Sequence, residues 1–301
     1  MDRIFERYHD IVPDFPLFQE VLNKPMPVCL RANGLKIGQA SLVRSLKARG
    51  ILLKKAIGTD NSLYLVPGLS SPGNLLEYFQ GYVHPQALTS CLASIVLAPE
   101  KDSYVLDMCA APGGKTSHLA QLMNNSGLIV ANELHRSRQV PLGNSLARLG
   151  VLNTVVTGYQ AQEFPLKQRF DFILADVPCS GEGRFRKIAE GFQYKETRKK
   201  EALPVLQKKI LLRGFDLLKE DGCMLYSTCT YNPEENESVV NFLLENRDAR
   251  LLPILTDLDY DEGLITWRDE EYDRQITRAV RFYPHRVNSV GFFMARIGRT
   301  G

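Results

Sequence analysis

Phe170-Asp-Phe-Ile-Leu-Ala-Asp-Val-Pro-Cys-Ser-Gly-Glu-Gly183 decides how the chain folds. Phe172 to Asp176 is a short apolar run that stops at Pro178-Cys179, and Gly181 and Gly183 permit a tight loop beyond it. A run of this length, bounded by turn residues, predicts a buried parallel strand. In open α/β sheets, ligands bind just past the carboxyl ends of strands, so Asp176 and Cys179 are expected to project into a cleft. A second stretch has the same form: Gly222-Cys-Met-Leu-Tyr-Ser-Thr-Cys-Thr-Tyr-Asn-Pro233, a short apolar strand ending in Cys229. Two cysteines at the ends of two strands of one sheet are the chief functional signal in the sequence.

From Ser103 onward, strand and helix patterns alternate. Strands are expected at 104–109, 128–132, 154–157, 172–176, 223–227 and 291–297. Helices are expected at 115–123, 137–149, 204–218 and 234–245, the second despite Pro141. Repeated βα units predict a doubly wound, mostly parallel sheet with right-handed crossovers. Before it, residues 1–26 read as helical and irregular, punctuated by Pro13, Pro16 and Pro25. Val28 to Asn33, Gln39 to Arg49, Ile51 to Ala56 and Ser62 to Val66 then give a β-α-β-β order, a small α+β module. Pro67 to Gly73 reads as a linker or long turn, and Gln86 to Leu97 as a helix leading into the main domain.

Composition narrows the function classes. The 301 residues, 44% hydrophobic and 24% charged, suit a soluble α/β domain with a smaller companion. No apolar run approaches the roughly 20 residues that span a bilayer. The first residues lack a signal-peptide pattern, so a cytoplasmic protein, without membrane contact and monomeric, is expected. The six cysteines have no paired CxxC spacing and the histidines are scattered, so neither a disulfide frame nor a metal centre is expected. Net charge is +3, but residues 184–219 carry 11 Lys/Arg against 4 Asp/Glu, and residues 1–56 carry 10 against 5. Two basic regions beside a cleft favour a polyanionic partner. Arg184, Arg186 and Lys187 are candidate phosphate contacts, and Phe185, Phe192 and Tyr194 are candidate stacking rings, with core packing as the plainer role for each ring. Residues 257–273, with eight acids and one Arg, read as a solvated loop.

Val105-Leu-Asp-Met-Cys-Ala-Ala-Pro-Gly-Gly-Lys-Thr116 is a strand, a small-residue turn and a helix start. Small residues let a ligand approach the backbone, and the helix N-terminus offers unpaired N–H donors. A nucleotide-triphosphate loop would need Gly at the position of Cys109. The next strand ends in Asn132-Glu133, where an acid can bond both hydroxyls of a ribose. Loop and acid together fit a nucleoside-containing cofactor, either a nicotinamide dinucleotide or S-adenosylmethionine.

Asp107 to Thr116, Asp176 to Gly183 and Tyr226 to Glu237, in this order and spacing, resemble the Nop/Sun family of RNA cytosine-C5 methyltransferases. Arg31-Ala-Asn-Gly-Leu-Lys36 and Gly291-Phe-Phe-Met-Ala-Arg296 extend the likeness over nearly the whole chain, with wording nearest the bacterial branch acting on small-subunit ribosomal RNA. The resemblance implies a seven-stranded Rossmann-like methyltransferase sheet over residues 76–301 and an RRM-like, RNA-binding module over 1–75. It implies S-adenosylmethionine held by Cys109, Ala110, Ala111, Pro112, Gly113, Gly114 and Lys115, with Glu133, Arg138, Gln160 and Asp176. It implies RNA as partner, ribosomal in preference to transfer RNA. Gln160 stands where the family usually has an acid near the adenine, Gln86-Ala87 where it has Gln-Asp/Glu, and Val290 where it has Asp.

The implied chemistry needs two thiols. Carbon 5 of cytosine is a poor nucleophile until a thiolate adds to carbon 6, and cysteine suits this step because it is strongly nucleophilic even when only partly ionised. Resemblance makes Cys229 the attacking thiol and Cys179 the residue assisting release; the residues themselves read symmetrically, and Pro-Cys is the nucleophile in DNA cytosine methyltransferases. A protonated Asp176 would neutralise charge pushed toward N3. Cys29, Cys91, Cys109 and Cys223 are expected to be structural thiols. The rival classes are a methyltransferase acting on another target, and a non-catalytic RNA-binding ribosome-assembly factor with this fold.

Overall fold

The computed structural model describes residues 5–56, 62–186 and 202–300. In chain order the elements are α1 (Phe15–Leu22), β1 (Val28–Ala32), α2 (Gln39–Ala48), β2 (Lys54–Lys55), β3 (Leu63–Val66), α3 (Leu76–Phe79), β4 (Val83–Pro85), α4 (Leu88–Leu97), β5 (Tyr104–Asp107), α5 (Gly114–Leu122), β6 (Leu128–Asn132), α6 (Arg136–Leu149), β7 (Thr154–Thr157) and β8 (Phe170–Asp176). There follow α7 (Leu203–Asp216), β9 (Leu218–Thr228), α8 (Glu237–Asn246), β10 (Ala249–Leu252), β11 (Asp261–Glu262), β12 (Thr266–Trp267), β13 (Glu270–Glu271), β14 (Val280–Phe282), α9 (Pro284–Val287) and β15 (Phe292–Arg299).

The main sheet runs β11-β14-β15-β9-β8-β5-β6-β7, with β10 also paired to β15. The five strands from β9 to β7 are parallel; β15, β14, β11 and β10 join antiparallel. The expected doubly wound α/β sheet is present, with nine strands in place of seven. Seven form the run from β14 to β7, and β10 and β11 extend it from short segments that carry no strong apolar pattern. The chain builds outward from β5 in both directions, so β5 and β8 flank the topological switch point where doubly wound folds bind ligands.

Alternation along the central strands explains why both faces are covered. Ile173 and Ala175 pack with Met224, Tyr226, Ile210 and Phe215 on one face. Leu174 and Leu225 pack with Leu92, Leu97 and Leu119 on the other. A strand buried on both faces shows no polar alternation, which is why β8 reads as a continuous apolar run. Its neighbour β9 is longer than the sequence pattern suggests, because Leu218 pairs with Phe170 across a local irregularity.

The N-terminal part forms a small antiparallel sheet of order β2-β3-β1-β4, whose fourth strand is at 83–85. Leu42 and Leu46 of α2 pack beneath it with Leu30, Tyr64 and Val83. Residues 5–22 do not join this module. Phe5, Tyr8, Phe15 and Phe18 form an aromatic cluster with Phe185, Tyr231 and Tyr283 of the main domain. Proline punctuation marked the segment as irregular but could not show which surface its rings would cover. Among the described residues, no helix is long and apolar enough to cross a membrane.

Beneath the segment that follows β9 lies a fully buried ion pair. Arg281 of β14 donates to Glu237 at the start of α8 (Nη2–Oε2 2.7 Å) and to the carbonyl of Tyr231 (3.1 Å). Arg281→Met is expected to destabilise the fold by about 3–5 kcal/mol, because it strands the Glu237 charge without its partner. Urea unfolding followed by circular dichroism measures this; an unchanged midpoint would show the pair to be dispensable.

Candidate active site

β5 ends in Asp107, the turn 108–113 follows, and α5 starts at Gly114. Gly113 adopts φ +98°, and a Cβ there would sit 3.0 Å from Leu142 and 3.3 Å from Ser145, so only glycine lets the turn press against α6. Asp107 is buried and accepts the Thr116 hydroxyl at 2.7 Å. Burial pushes its carboxyl up to about 7. Burial also raises the Cys109 thiol far above its usual range, with Asp107 and Asp176 adding to the effect, which fits a structural thiol.

A cleft of about 240 Å³ opens over the ends of β5, β6 and β7, lined by Cys109, Glu133, Arg138, Tyr159, Leu206 and Ile210 among others. Glu133, almost fully buried, accepts the backbone N–H of His135 at 3.0 Å and pairs with Arg138 at 3.1 Å. Arg138 also donates to the carbonyl of Ala111 at 2.9 Å, tying the acid to the small-residue turn. Asn132 fastens the floor: its amide donates to the carbonyls of Met108 and Tyr159, and its oxygen accepts from Thr157 and the Tyr159 N–H. Gln160 is not part of this lining. It caps a 3-10 turn, is exposed, and bonds the side chains of Gln162 and Glu163. Its neighbours Tyr159, Ala161 and Gln162 face the cleft, as do Leu206 and Ile210 of α7. The α7 residues carry no sequence signal beyond helical apolar spacing.

The two cysteine stretches meet as their strand ends require. β8 and β9 are parallel neighbours with Asp176 opposite Ser227, so the residues just past both ends share one corner. Cys179 Sγ and Cys229 Sγ lie 3.4 Å apart. Asp176 Oδ2 accepts the Lys115 ammonium at 2.7 Å and Oδ1 accepts the Ser227 hydroxyl at 2.8 Å. Both oxygens thus accept hydrogen bonds, one of them from a cation.

Buried polar groups hold the corner rigid. Glu235 Oε2 accepts the Ser180 N–H at 2.9 Å and the Gln207 amide at 3.0 Å; that amide also reaches the Pro178 carbonyl. Ser180 Oγ donates to Thr230 Oγ1 at 2.7 Å, and Thr230 donates to the buried Glu182. Glu182 is charge-balanced by Arg7 at 2.6 Å and bonded by the Tyr8 hydroxyl, both from the N-terminal segment. The Gly183 N–H donates to the Cys229 carbonyl at 2.9 Å, and a Cβ on Gly183 would come within 2.3 Å of the Gly291 carbonyl oxygen. Glu235, two residues after Pro233, therefore positions the opposite loop.

Structure breaks the symmetry between the thiols. The hydrogen bond with Cys179 lowers the Cys229 thiol pKa against the opposing effect of burial, and Lys115 and Arg184 assist. The same bond, with burial and the neighbouring sulfur, raises Cys179 well above its ordinary range. A backbone N–H from Cys229 to Cys179 Sγ opposes this division but is outweighed. Of the two, Cys229 is therefore the more readily ionised. Cys29 is held up to about 12 by burial, and burial raises Cys223 too, so neither competes as a nucleophile.

Of the expected nucleic-acid contacts, Arg184 is exposed beside the thiols. Arg186 is buried and donates to the carbonyls of Lys24 and Pro25 and to Asn288, and Phe185 packs in the aromatic cluster; both serve the fold. Lys187, Phe192 and Tyr194 lie outside the described residues.

A family model described as 16S rRNA methyltransferase RsmB/F matches residues 94–298. The chain belongs to this family, the Nop/Sun group named by its sequence resemblance. It is 37% identical over 306 residues to the 26S rRNA (cytosine-C(5))-methyltransferase nsun-1 of Caenorhabditis elegans, covering 98% of this chain and 46% of that protein. The chain thus spans less than half the length of that relative. It is 34% identical over 297 residues to the tRNA (cytosine(49)-C(5))-methyltransferase of Pyrococcus abyssi, covering 98% and 95% of the two chains. In fold it matches the crystal structure of NSun6 from Pyrococcus horikoshii with SFG at a TM-score of 0.79 and 23% identity, over 95% of this chain and 94% of that one.

Iodoacetamide is expected to label one cysteine selectively near neutral pH. A lowered pKa means thiolate persists to lower pH, so the Cys229 labelling midpoint should fall below the roughly 8.5 of a free thiol. Cys179→Ala should move that midpoint upward. Peptide mass spectrometry across a pH series reads both, and faster labelling of Cys179 would contradict the assignment.

Proposed function

We propose that the protein is an S-adenosylmethionine-dependent RNA methyltransferase acting on C5 of a cytosine, in ribosomal RNA. The observation that carries this reading is the pair of thiols at 3.4 Å, one favoured as thiolate and the other as thiol, beside the Lys115–Asp176 ion pair. Family membership and the cytosine-C5 activities printed for its relatives support the same reaction. Transfer RNA is the second reading, because the relative of matching length bears a tRNA name.

The 240 Å³ cleft suits a nucleoside, with the Glu133 carboxylate for ribose hydroxyls and Tyr159, Ala161, Leu206 and Ile210 for a base. When bound there, S-adenosylmethionine supplies the methyl group in electrophilic form. The chain's own groups do the rest. The Cys229 thiolate adds to C6 of a cytosine drawn out of its stack, forming a C–S bond and making C5 nucleophilic. The Lys115 ammonium supplies positive charge beside the ring. Once the Cys229 sulfur is bonded to carbon it is no longer an anion, and the chief influence raising the Cys179 pKa disappears. Cys179 then loses its own proton to solvent and accepts the C5 proton, and the electron pair of that C–H bond restores the ring as the Cys229 thiolate departs. Arg184 and the exposed cations Arg44, Lys47, Lys54 and Lys55 of α2 and β2 contact the RNA backbone.

RNA incubated with labelled S-adenosylmethionine should yield 5-methylcytosine, and Cys229→Ala should abolish it. Cys179→Ala should lower turnover by ~10²-fold or more, the scale of a lost acid–base group, and accumulate a denaturation-resistant protein–RNA adduct. An adduct with Cys229→Ala and none with Cys179→Ala would reverse the roles; absence of 5-methylcytosine with wild-type protein would sink the reading.

A further inference from the structure

Helix α7 buries positions 207, 210, 211, 214 and 215, the i, i+3, i+4, i+7, i+8 spacing of an amphipathic helix. Ile210, Leu211, Gly214 and Phe215 suit that face. Gln207 breaks the pattern: it is fully buried and polar where the stripe calls for an apolar side chain. An amide is costly to bury unless its hydrogen bonds are made. Nε2 of Gln207 donates to the Pro178 carbonyl at 2.9 Å and to Glu235 Oε2 at 3.0 Å, while its Oε1 is buried without a hydrogen-bond partner. Two acceptors on the Nε2 side fix which way the amide points. A methionine would fill similar space with no stranded oxygen, so what the amide adds at this position is its two donor bonds.

Those bonds hold the backbone of Cys179. The Pro178 carbonyl belongs to the peptide unit entering Cys179. The Ser180 N–H, which donates to the same Glu235 oxygen at 2.9 Å, belongs to the unit leaving it. Peptide units are planar and stiff, so fastening both sets the two backbone torsions of Cys179 and the direction of its Cα–Cβ bond. One side-chain torsion then places the sulfur, and the Cys229 sulfur and N–H, each at 3.4 Å, select its setting. The same helix serves the cofactor side, since Leu206 and Ile210, on either side of Gln207, line the 240 Å³ cleft together with Pro178.

Resting on the roles proposed above for the two thiols, we infer that Gln207 is a positioning residue for the release step. Its amide, with Glu235, aims the Cys179 sulfur at the C5 proton of the base held on Cys229, acting through the Cys179 backbone. A misaimed Cys179 leaves attack and methyl transfer possible and slows release, where a displacement of about 1 Å can cost on the order of 10²-fold.

Gln207→Met removes both donor bonds at similar volume. Methylation of RNA with labelled S-adenosylmethionine, quenched in denaturant, gives the fraction of methylated RNA still bonded to protein. That fraction counts only molecules that have bound both substrates, so partial misfolding does not imitate the result. Gln207→Met should slow release ~10-fold or more and raise the bonded fraction toward that of Cys179→Ala. The Cys229 labelling midpoint should move upward, because the bond from Cys179 that lowers it is loosened. Calorimetric affinity for S-adenosylhomocysteine should change by no more than about twofold, as Leu206 and Ile210 stay in place. If Cys179→Ala accumulates the adduct while Gln207→Met keeps a wild-type bonded fraction, the inference is overturned and the thiol roles stand. Loss of activity in parallel with S-adenosylhomocysteine affinity, without a rise in that fraction, would reduce Gln207 to helix packing and overturn it too. No adduct from either variant would overturn both the inference and the thiol roles.

Discussion

Two sulfur atoms from positions 50 residues apart approach to 3.4 Å, and a set of buried polar bonds keeps the loops that carry them together. Parallel pairing of β8 with β9 brings the two strand ends together but leaves the loops beyond them free to splay. What prevents this is a set of buried bonds running between the loops: Glu235 to Ser180, Ser180 to Thr230, Thr230 to Glu182, and the Gly183 N–H to the Cys229 carbonyl. Each buried carboxylate in that set has its own partners, as burial of charge demands. Glu182 relies on Arg7 and Tyr8, so a segment some 175 residues away in sequence belongs to the same mechanical unit.

Close approach also creates the chemical difference between the thiols. Two buried thiols at hydrogen-bonding distance share one proton more readily than they shed two, and the bond between them is what chiefly favours ionisation of Cys229, with the nearby cations adding to it. Lys115 and Arg184 act on Cys229. Lys115 sits at the first turn of α5, on the helix that opens from the small-residue turn, so one residue links the cofactor side to the thiol side through Asp176.

Much of this was legible in the sequence, and for identifiable reasons. Strands buried on both faces announce themselves as apolar runs, and the glycines and prolines after Asp107 and Asp176 mark where the backbone must turn tightly. Those cues placed Cys179, Cys229, Asp176, Glu133 and the 109–115 turn at one end of the sheet, where the structure finds them. Other features depend on tertiary surroundings that a linear pattern does not carry. Gln160 turns outward because it caps a short 3-10 turn, while its neighbours face the cleft. Arg186 reads as one more cation in a basic run, yet it is buried against three polar groups. Asp176 is paired with a lysine 61 residues away, a partner no local pattern names. The aromatic segment at 5–22 reads as a prelude to the small module, but its rings match a surface of the main domain.

RNA carrying 5-fluorocytidine at its cytosine positions tests the central claim most directly. Fluorine at C5 cannot leave as a cation, so a thiol that adds to C6 stays bonded to the base after methyl transfer, and digestion with mass spectrometry locates the attachment. The nucleotide is expected on the peptide containing Cys229, with Cys179 recovered unmodified. Attachment at Cys179, or none at all under conditions that methylate unmodified RNA, would contradict the roles assigned to the two thiols.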